Sequence, residues 1–238
     1  MRPFFFNEMF DVNTQLSVAS AGVPGMQAVV IDGLFKRPDE IHHLLNKAPA
    51  ANWKFAPDGR NFVDYQDCRQ RYPIWYPNNL IGIAQQAIET VYGCVTRPQD
   101  QHVDVNWFRQ LAPRRSDTAF PHHDIFVPAK RSFTCLTYVN TAAESSGGTA
   151  FYRFKPSGSP VLDDRFDQMV EQDAALVENG RDYWFENPER YWERIGVVDM
   201  VPNRFIIFPS EFYHAAYHPD DWFFDFPRMT LVFWMLLD

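Results

Sequence analysis

Ser132-Phe-Thr-Cys-Leu-Thr-Tyr-Val-Asn140, followed after a short polar link by Gly147-Gly-Thr-Ala-Phe-Tyr-Arg-Phe154, is the stretch that decides the fold class. Both segments alternate, both are rich in β-branched and aromatic residues, and the Gly-Gly pair is a turn signal, so they read as two strands. Working outward, Val103-Asp-Val-Asn-Trp-Phe-Arg-Gln-Leu111 alternates in the same way, and residues 195–201, 204–208 and 228–237 supply further strands. Upstream, residues 27–35 read as a short buried strand with a bend. Pro38, Asp39 and Glu40 sit where a helix first turn favours them, and Ile41, Leu44 and Leu45 follow at helical spacing as far as Lys47. A second helix is predicted over residues 79–92, where Leu80, Ile83, Ala84, Ala87, Ile88 and Val91 form one apolar stripe closed by Gly93.

These elements predict a mainly β chain with flanking helices, one domain over residues 1–238. Residues 1–100 hold the N-terminal strand and supporting helices, and residues 101–238 hold the strand-rich core. Residues 50–78, aromatic but without a period, are expected as an ordered loop. Residues 156–192 interrupt the strands with an acidic helical run over 163–177, readable either as a lid or as a solvated covering of a sheet edge. His42 and His43 are expected on the solvent side of the first helix.

Composition narrows the function classes. The 238 residues carry 22 Lys+Arg against 30 Asp+Glu, a formal charge of −8, and 46% are apolar. Phosphate neutralisation needs clustered bases, and the tightest groups are the pairs Arg114-Arg115 and Lys130-Arg131, so nucleic acid is not expected as a partner. The opening MRPFFFNEMFDVN breaks its apolar run with Asn, Glu and Asp, so neither a secretory signal nor a membrane span is expected. Three cysteines without a CxxC pair suit a reducing compartment, and the expected location is the cytoplasm.

Chemistry enters through histidine and aspartate. Two imidazoles and one carboxylate on one face leave three positions open on iron(II), and residues two apart on a strand point to the same side. Three of the seven histidines have Asp two residues on: His102/Asp104, His122/Asp124 and His218/Asp220. The dipeptide spacing alone decides nothing; context favours His122/Asp124, in the extended stretch Phe120-Pro-His-His-Asp-Ile-Phe-Val127 after a polar loop. His102/Asp104 reads as an exposed strand end and His218/Asp220 as turn chemistry. His123, between the two favoured ligands, faces the other way and is taken as structural or as a support behind a ligand. A third ligand should come from Phe208-Pro-Ser-Glu-Phe-Tyr-His-Ala-Ala-Tyr-His218, where periodicity leaves both His214 and His218 open.

The last strand, Arg228-Met-Thr-Leu-Val-Phe-Trp-Met-Leu-Leu237, is apolar apart from Arg228 and Thr230 on one face. A guanidinium opening a buried strand needs an anionic partner, and a hydroxyl two residues on can serve the same carboxylate. A dicarboxylate cosubstrate and an internal ion pair both satisfy that requirement.

In order along the chain, Pro121-His122-His123-Asp124, Tyr138-Val139-Asn140, Gly147-Gly148-Thr149-Ala150-Phe151, Pro202-Asn203-Arg204, Phe208-Pro209-Ser210 followed by His214, and Arg228-Met229-Thr230-Leu231 resemble the iron(II)- and 2-oxoglutarate-dependent oxygenases, most of all their prolyl-hydroxylase-like branch. The resemblance covers about residues 100–238 and implies a double-stranded β-helix, the jelly-roll or cupin-like fold, with helices outside one sheet. It implies His122, Asp124 and His214 as metal ligands, which ranks His214 over His218. It also implies Arg228 with Thr230 on the far carboxylate of 2-oxoglutarate, Tyr138 adding a hydrogen bond, and Asn140 and Arg204 fixing strand ends and turns.

The implied cofactors are Fe(II) and 2-oxoglutarate, and the implied reaction is hydroxylation of a C–H bond using molecular oxygen. An amino acid, a peptide or a small metabolite could be the substrate, in a dry pocket to which Trp107, Phe151 and Trp234 could contribute. Related halogenases carry a small residue in place of the metal carboxylate, so Asp124 favours hydroxylation. Two alternatives stand beside this reading: a cupin-like metal enzyme that uses no 2-oxoglutarate, and a non-catalytic binding protein on the same frame.

Overall fold

The computed structural model describes residues 11–13, 15–23, 26–47, 68–70, 78–94, 106–110, 121–124, 131–172, 188–217 and 228–237. In chain order these form β1 (Ala19–Val23), β2 (Met26–Asp32), α1 (Pro38–Lys47), β3 (Cys68–Gln70), α2 (Asn78–Tyr92), β4 (Asn106–Gln110), β5 (Arg131–Tyr138), β6 (Gly148–Phe154), α3 (Asp164–Gln172), α4 (Pro188–Tyr191), β7 (Trp192–Asp199), β8 (Arg204–Pro209), β9 (His214–Tyr217) and β10 (Arg228–Leu237). Among the described residues a large sheet runs β1-β2-β8-β5-β10-β4-β3 and a small one runs β7-β6-β9. Residue His122 adds to the small sheet through a bridge to His214.

From β4 onward the chain therefore visits large, small, large, small, small, large, small and large sheet in turn, with β8-β5-β10-β4 opposite β7-β6-β9 and the 121–124 segment. That alternation is the double-stranded β-helix, and the fold is a mainly β jelly roll with helices outside its larger sheet. β1 and β2 extend that sheet at one edge and β3 at the other. β3 lies within the stretch expected as a loop; three residues, Cys-Arg-Gln, are too few to show a period, and their strand geometry comes from pairing with β4.

Helices and sheet share one core. Ile41 and Leu45 of α1 and Leu80, Ala84, Ala87 and Ile88 of α2 pack with Phe133, Cys135, Met229, Leu231, Phe233 and Met235 on the outer face of the large sheet. Each Leu, Ile, Phe or Met among them removed from water is worth roughly 1.5–3 kcal/mol before entropy is counted. The opposite face turns into the roll, where Leu136, Tyr138, Ile206, Phe208 and Val232 meet Phe151, Val198 and Phe212 of the other side. Gly148 is required by close approach at the start of β6, since a Cβ there would sit 2.1 Å from the Val198 carbonyl oxygen.

The described part of the 156–192 segment touches both sides of the small sheet: Val161 bridges Phe212 and packs against the cluster inside the roll. Leu162, Phe166 and Met169 pack on the outer face of the small sheet against Tyr152, Phe154, Trp192 and Tyr213, with Phe166 and Tyr213 ring centroids 5.6 Å apart. These residues make apolar contacts on a sheet face; residues 173–187, with the end of the acidic run, lie outside the described residues. His42 departs from expectation. Its ring is 13% exposed and lies 2.5 Å from the Glu144 carboxylate, which the 3-10 turn Ala142–Glu144 carries onto the helix. The partner is 102 residues away, beyond the reach of helical periodicity. His43 is exposed, as expected.

Two polar fasteners hold the N-terminal strands to the roll. Asn203 adopts φ 61°; its side-chain oxygen accepts the Phe35 N–H at 2.8 Å and its amide donates to the Phe35 carbonyl at 2.9 Å. Its own N–H donates to the Tyr138 carbonyl at 2.9 Å. Asn203→Ala orphans two buried backbone groups, so a loss of about 3 kcal/mol in denaturant unfolding is expected, and Asn203→Gly, which keeps the left-handed backbone, should lose nearly as much.

The second fastener is Arg204, paired with Asp32 at 2.7 and 2.9 Å. Hydrogen bonding to Arg204 holds the Asp32 carboxyl below its ordinary 3.8. Below that pH the unfolded chain takes a proton that the folded chain still refuses. The pair therefore stabilises the fold above pH 3.8 and loses that contribution as pH falls through the lower folded value. The Asp32 side chain is 57% exposed, so Asp32→Asn should flatten the acid limb of a stability profile by less than about 1 kcal/mol. Among the described residues no helix is long and apolar enough to cross a membrane.

Candidate metal centre

His122 and His214 sit directly opposite each other and exchange backbone hydrogen bonds of 2.9 and 2.8 Å. Their side chains therefore leave the backbone on the same face, with ring centroids 4.5 Å apart. Asp124, two residues beyond His122, points to that face as well, and its N–H donates to the Ser210 carbonyl at 2.8 Å. His122, Asp124 and His214 each offer a ligand atom, and these atoms lie within 4.8 Å of one another. His123 points away, toward the Tyr213 ring 6.4 Å off.

The donor set fits a divalent cation. Three donors about 2.1 Å from one ion at right angles would stand about 3 Å apart; His214 Nε2 lies 3.3 Å from Asp124 Oδ2 and His122 Nε2 lies 3.8 Å from Oδ1. The His214 Nδ1–H donates to the Phe212 carbonyl at 2.9 Å, which leaves the Nε2 lone pair aimed at the carboxylate. Two lone pairs facing each other at that distance repel, so the contact is favourable only when a cation, a proton or a metal ion, lies between ring and carboxylate.

Charge agrees with geometry. Burial alone would raise the Asp124 pKa, but the His214 imidazole, then His122 and the Trp234 indole, outweigh it and hold the carboxyl well below the usual range. The three ligands are unequally open: the His122 side chain is 46% exposed, against 12% for Asp124 and 8% for His214. Access to the centre is from the His122 side.

A second polar group lies at the other end of the same inner face. Arg228 and Tyr138 are buried, and the guanidinium carbon stands 5.3 Å over the Tyr138 ring. The Tyr138 hydroxyl is 2.7 Å from Thr149 Oγ1; burial pushes its pKa up against the pull of Arg228. Thr230 is in register with Tyr138, Val232 with Leu136, and Trp234 with Thr134. Thr134 and Tyr138 stand four positions apart on β5, about 13 Å along the strand. The inner face thus runs from a hydroxyl beside Asp124, across Leu136 and Val232, to a guanidinium.

The structure therefore gathers His122, Asp124 and His214 in one cluster and Arg228, Thr230 and Tyr138 in another. His102, Asp104, His218 and Asp220 lie outside the described residues. Asn140 Oδ1 accepts the Met229 N–H at 2.8 Å and so fixes the start of β10. Phe151 is core, packed on Phe208 at 5.1 Å, and the side chain of Trp107 lies outside the described residues. Sequence reasoning missed Thr134, which donates to Asp124 Oδ2 at 2.9 Å, and Ser210, 3.0 Å from Thr134. Their only signal was a hydroxyl on an alternating strand for Thr134 and one just past the end of β8 for Ser210.

None of the curated proteins matches the chain. Among solved structures, a prolyl-4-hydroxylase of Pseudomonas putida aligns over 98% of this chain and 99% of its own, at 12% identity and a TM-score of 0.43; a likeness at that level says nothing of chemistry. A family model matches residues 12–223. The chain belongs to that family, DUF6445, a family of unknown function.

Proposed function

We propose that residues 1–238 form one oxygenase domain, an iron(II)- and 2-oxoglutarate-dependent dioxygenase that hydroxylates a C–H bond of an amino acid, a peptide or a small metabolite. The observation that carries the reading is the facing of His214 Nε2 and Asp124 across 3.3 Å, with His122 closing the third corner. Bound there, iron(II) would couple decarboxylation of 2-oxoglutarate to succinate and carbon dioxide with transfer of one oxygen atom from dioxygen to the substrate carbon.

His122, Asp124 and His214 hold the cation and leave three positions free. Arg228 and Thr230 bind the far carboxylate of the cosubstrate, and Tyr138 fixes the guanidinium by stacking under it. Leu136 and Val232 keep the intervening floor dry, which strengthens both polar ends. The exposed flank of His122 is where the substrate reaches the centre. A chain of net charge −8 suits a small-molecule or peptide substrate better than a polyanion.

Calorimetry of the metal-free protein under nitrogen tests this. Heat is expected for Fe(II), and then for 2-oxoglutarate only after the metal. Admission of oxygen with a library of amino acids and peptides should release succinate. Turnover without 2-oxoglutarate would favour the cupin-like enzyme instead, and no heat in either titration would favour a non-catalytic binding protein.

A further inference from the structure

The Thr134 hydroxyl has one hydrogen, and an ionised carboxylate can only accept, so the 2.9 Å contact to Asp124 Oδ2 uses that hydrogen. The 3.0 Å contact between Thr134 and Ser210 must then run the other way, with Ser210 donating. The result is a directed chain, Ser210 to Thr134 to Asp124, in which each donor polarises the next. All three residues are buried.

The chain is anchored on rigid elements. Thr134 lies in the middle of the large sheet, in register with Phe208 of β8 and Trp234 of β10. The Ser210 N–H donates to the Ser132 carbonyl at 2.9 Å, and its own carbonyl accepts from Asp124. The 121–124 segment, by contrast, joins the small sheet through one bridge. The aim of the carboxylate is therefore set by the large sheet, through a hydroxyl.

On the metal reading above, we infer that Thr134, backed by Ser210, is a positioning residue: its hydrogen bond to Asp124 Oδ2, the oxygen that faces His214 Nε2 at 3.3 Å, fixes the rotation of the carboxylate toward the other two ligands. Without that hydroxyl the carboxylate is less firmly aimed at the ion.

Co(II) titration of the metal-free protein, followed by the visible Co(II) ligand-field spectrum, tests the inference in wild type, Thr134→Val, Thr134→Ser and Ser210→Ala. Thr137→Val is the control, removing a buried hydroxyl from the helix-facing side of the same strand. Thr134→Val should lose about 10- to 100-fold in Co(II) affinity, the usual effect of removing a group that orients a ligand, and its spectrum should change shape. Thr134→Ser and Thr137→Val should match wild type in both, and Ser210→Ala should move the same way as Thr134→Val by less. Should Thr134→Val fail to fold, the Ser210→Ala and Thr134→Ser pair decides. A folded Thr134→Val with wild-type affinity and spectrum overturns the inference and leaves the metal reading standing, as does an unchanged Ser210→Ala where Thr134→Val does not fold. A wild type that takes up no Co(II) overturns both.

Discussion

Asp124→Ala removes Fe(II) retention and, with it, succinate release, by well over the 10- to 100-fold that losing an outer partner costs a metal site. The expected size follows from what the carboxylate does. It is the one anionic donor of the trio, it is 12% exposed in the side chain, and it faces His214 and His122 at 3.3 and 3.8 Å. Alanine leaves two imidazoles 4.5 Å apart with nothing to balance a divalent charge. Asp124→Asn keeps the shape and removes the charge, so it should fail on metal affinity while folding as wild type does. Equilibrium dialysis against Fe(II) under nitrogen, with a thermal melt in parallel, separates loss of the site from loss of the fold. Full succinate release by Asp124→Ala would remove this residue from the ligand set.

The second large effect is at the far end of the inner face. Arg228→Ala is expected to weaken 2-oxoglutarate binding to the Mn(II)-loaded protein by about 30- to 1,000-fold, the ~2–4 kcal/mol that accompanies loss of one partner of a buried charge pair. Arg228→Lys should fall between, because a point charge replaces a planar fork. Mn(II) affinity should not move, since Arg228 stacks on Tyr138 and not on the trio. That split between cosubstrate and metal distinguishes the dioxygenase from a metal enzyme of the same fold that uses no oxoacid, in which 2-oxoglutarate gives no heat in either protein while metal affinity and turnover survive the substitution. Calorimetry with 2-oxoglutarate after Mn(II) saturation reads it directly.

How much of this was legible varies by element, for physical reasons. The strand 228–237 and the helix from Pro38 to Lys47 have the bounds the sequence predicts, because each carries a strong pattern over ten residues with a charge or proline at its start. β1 and β3 carry no such pattern and exist through pairing with β2 and β4. His42 looked like a surface residue because its partner, Glu144, comes from a distant turn. Thr134 is the most instructive case. In Ser132-Phe-Thr-Cys-Leu the hydroxyls alternate with Phe133 and Cys135 and read as the wet side of a half-buried strand. The large sheet is covered on both faces, and Thr134 is 1% exposed. Its hydroxyl faces inward because Asp124 and Ser210, 10 and 76 residues away, need it there. Periodicity reports which residues share a face, not which face meets water.

The most direct test is an anaerobic crystal structure of the protein soaked with Mn(II) and N-oxalylglycine, an inert mimic of 2-oxoglutarate. The expected result is one ion within about 2.0–2.2 Å of His122 Nε2, a single Asp124 oxygen and His214 Nε2. The mimic should chelate that ion and rest its far carboxylate on Arg228 and Thr230. An ion bound elsewhere, or Arg228 turned to a carboxylate of the protein with no diacid beside it, would contradict the account.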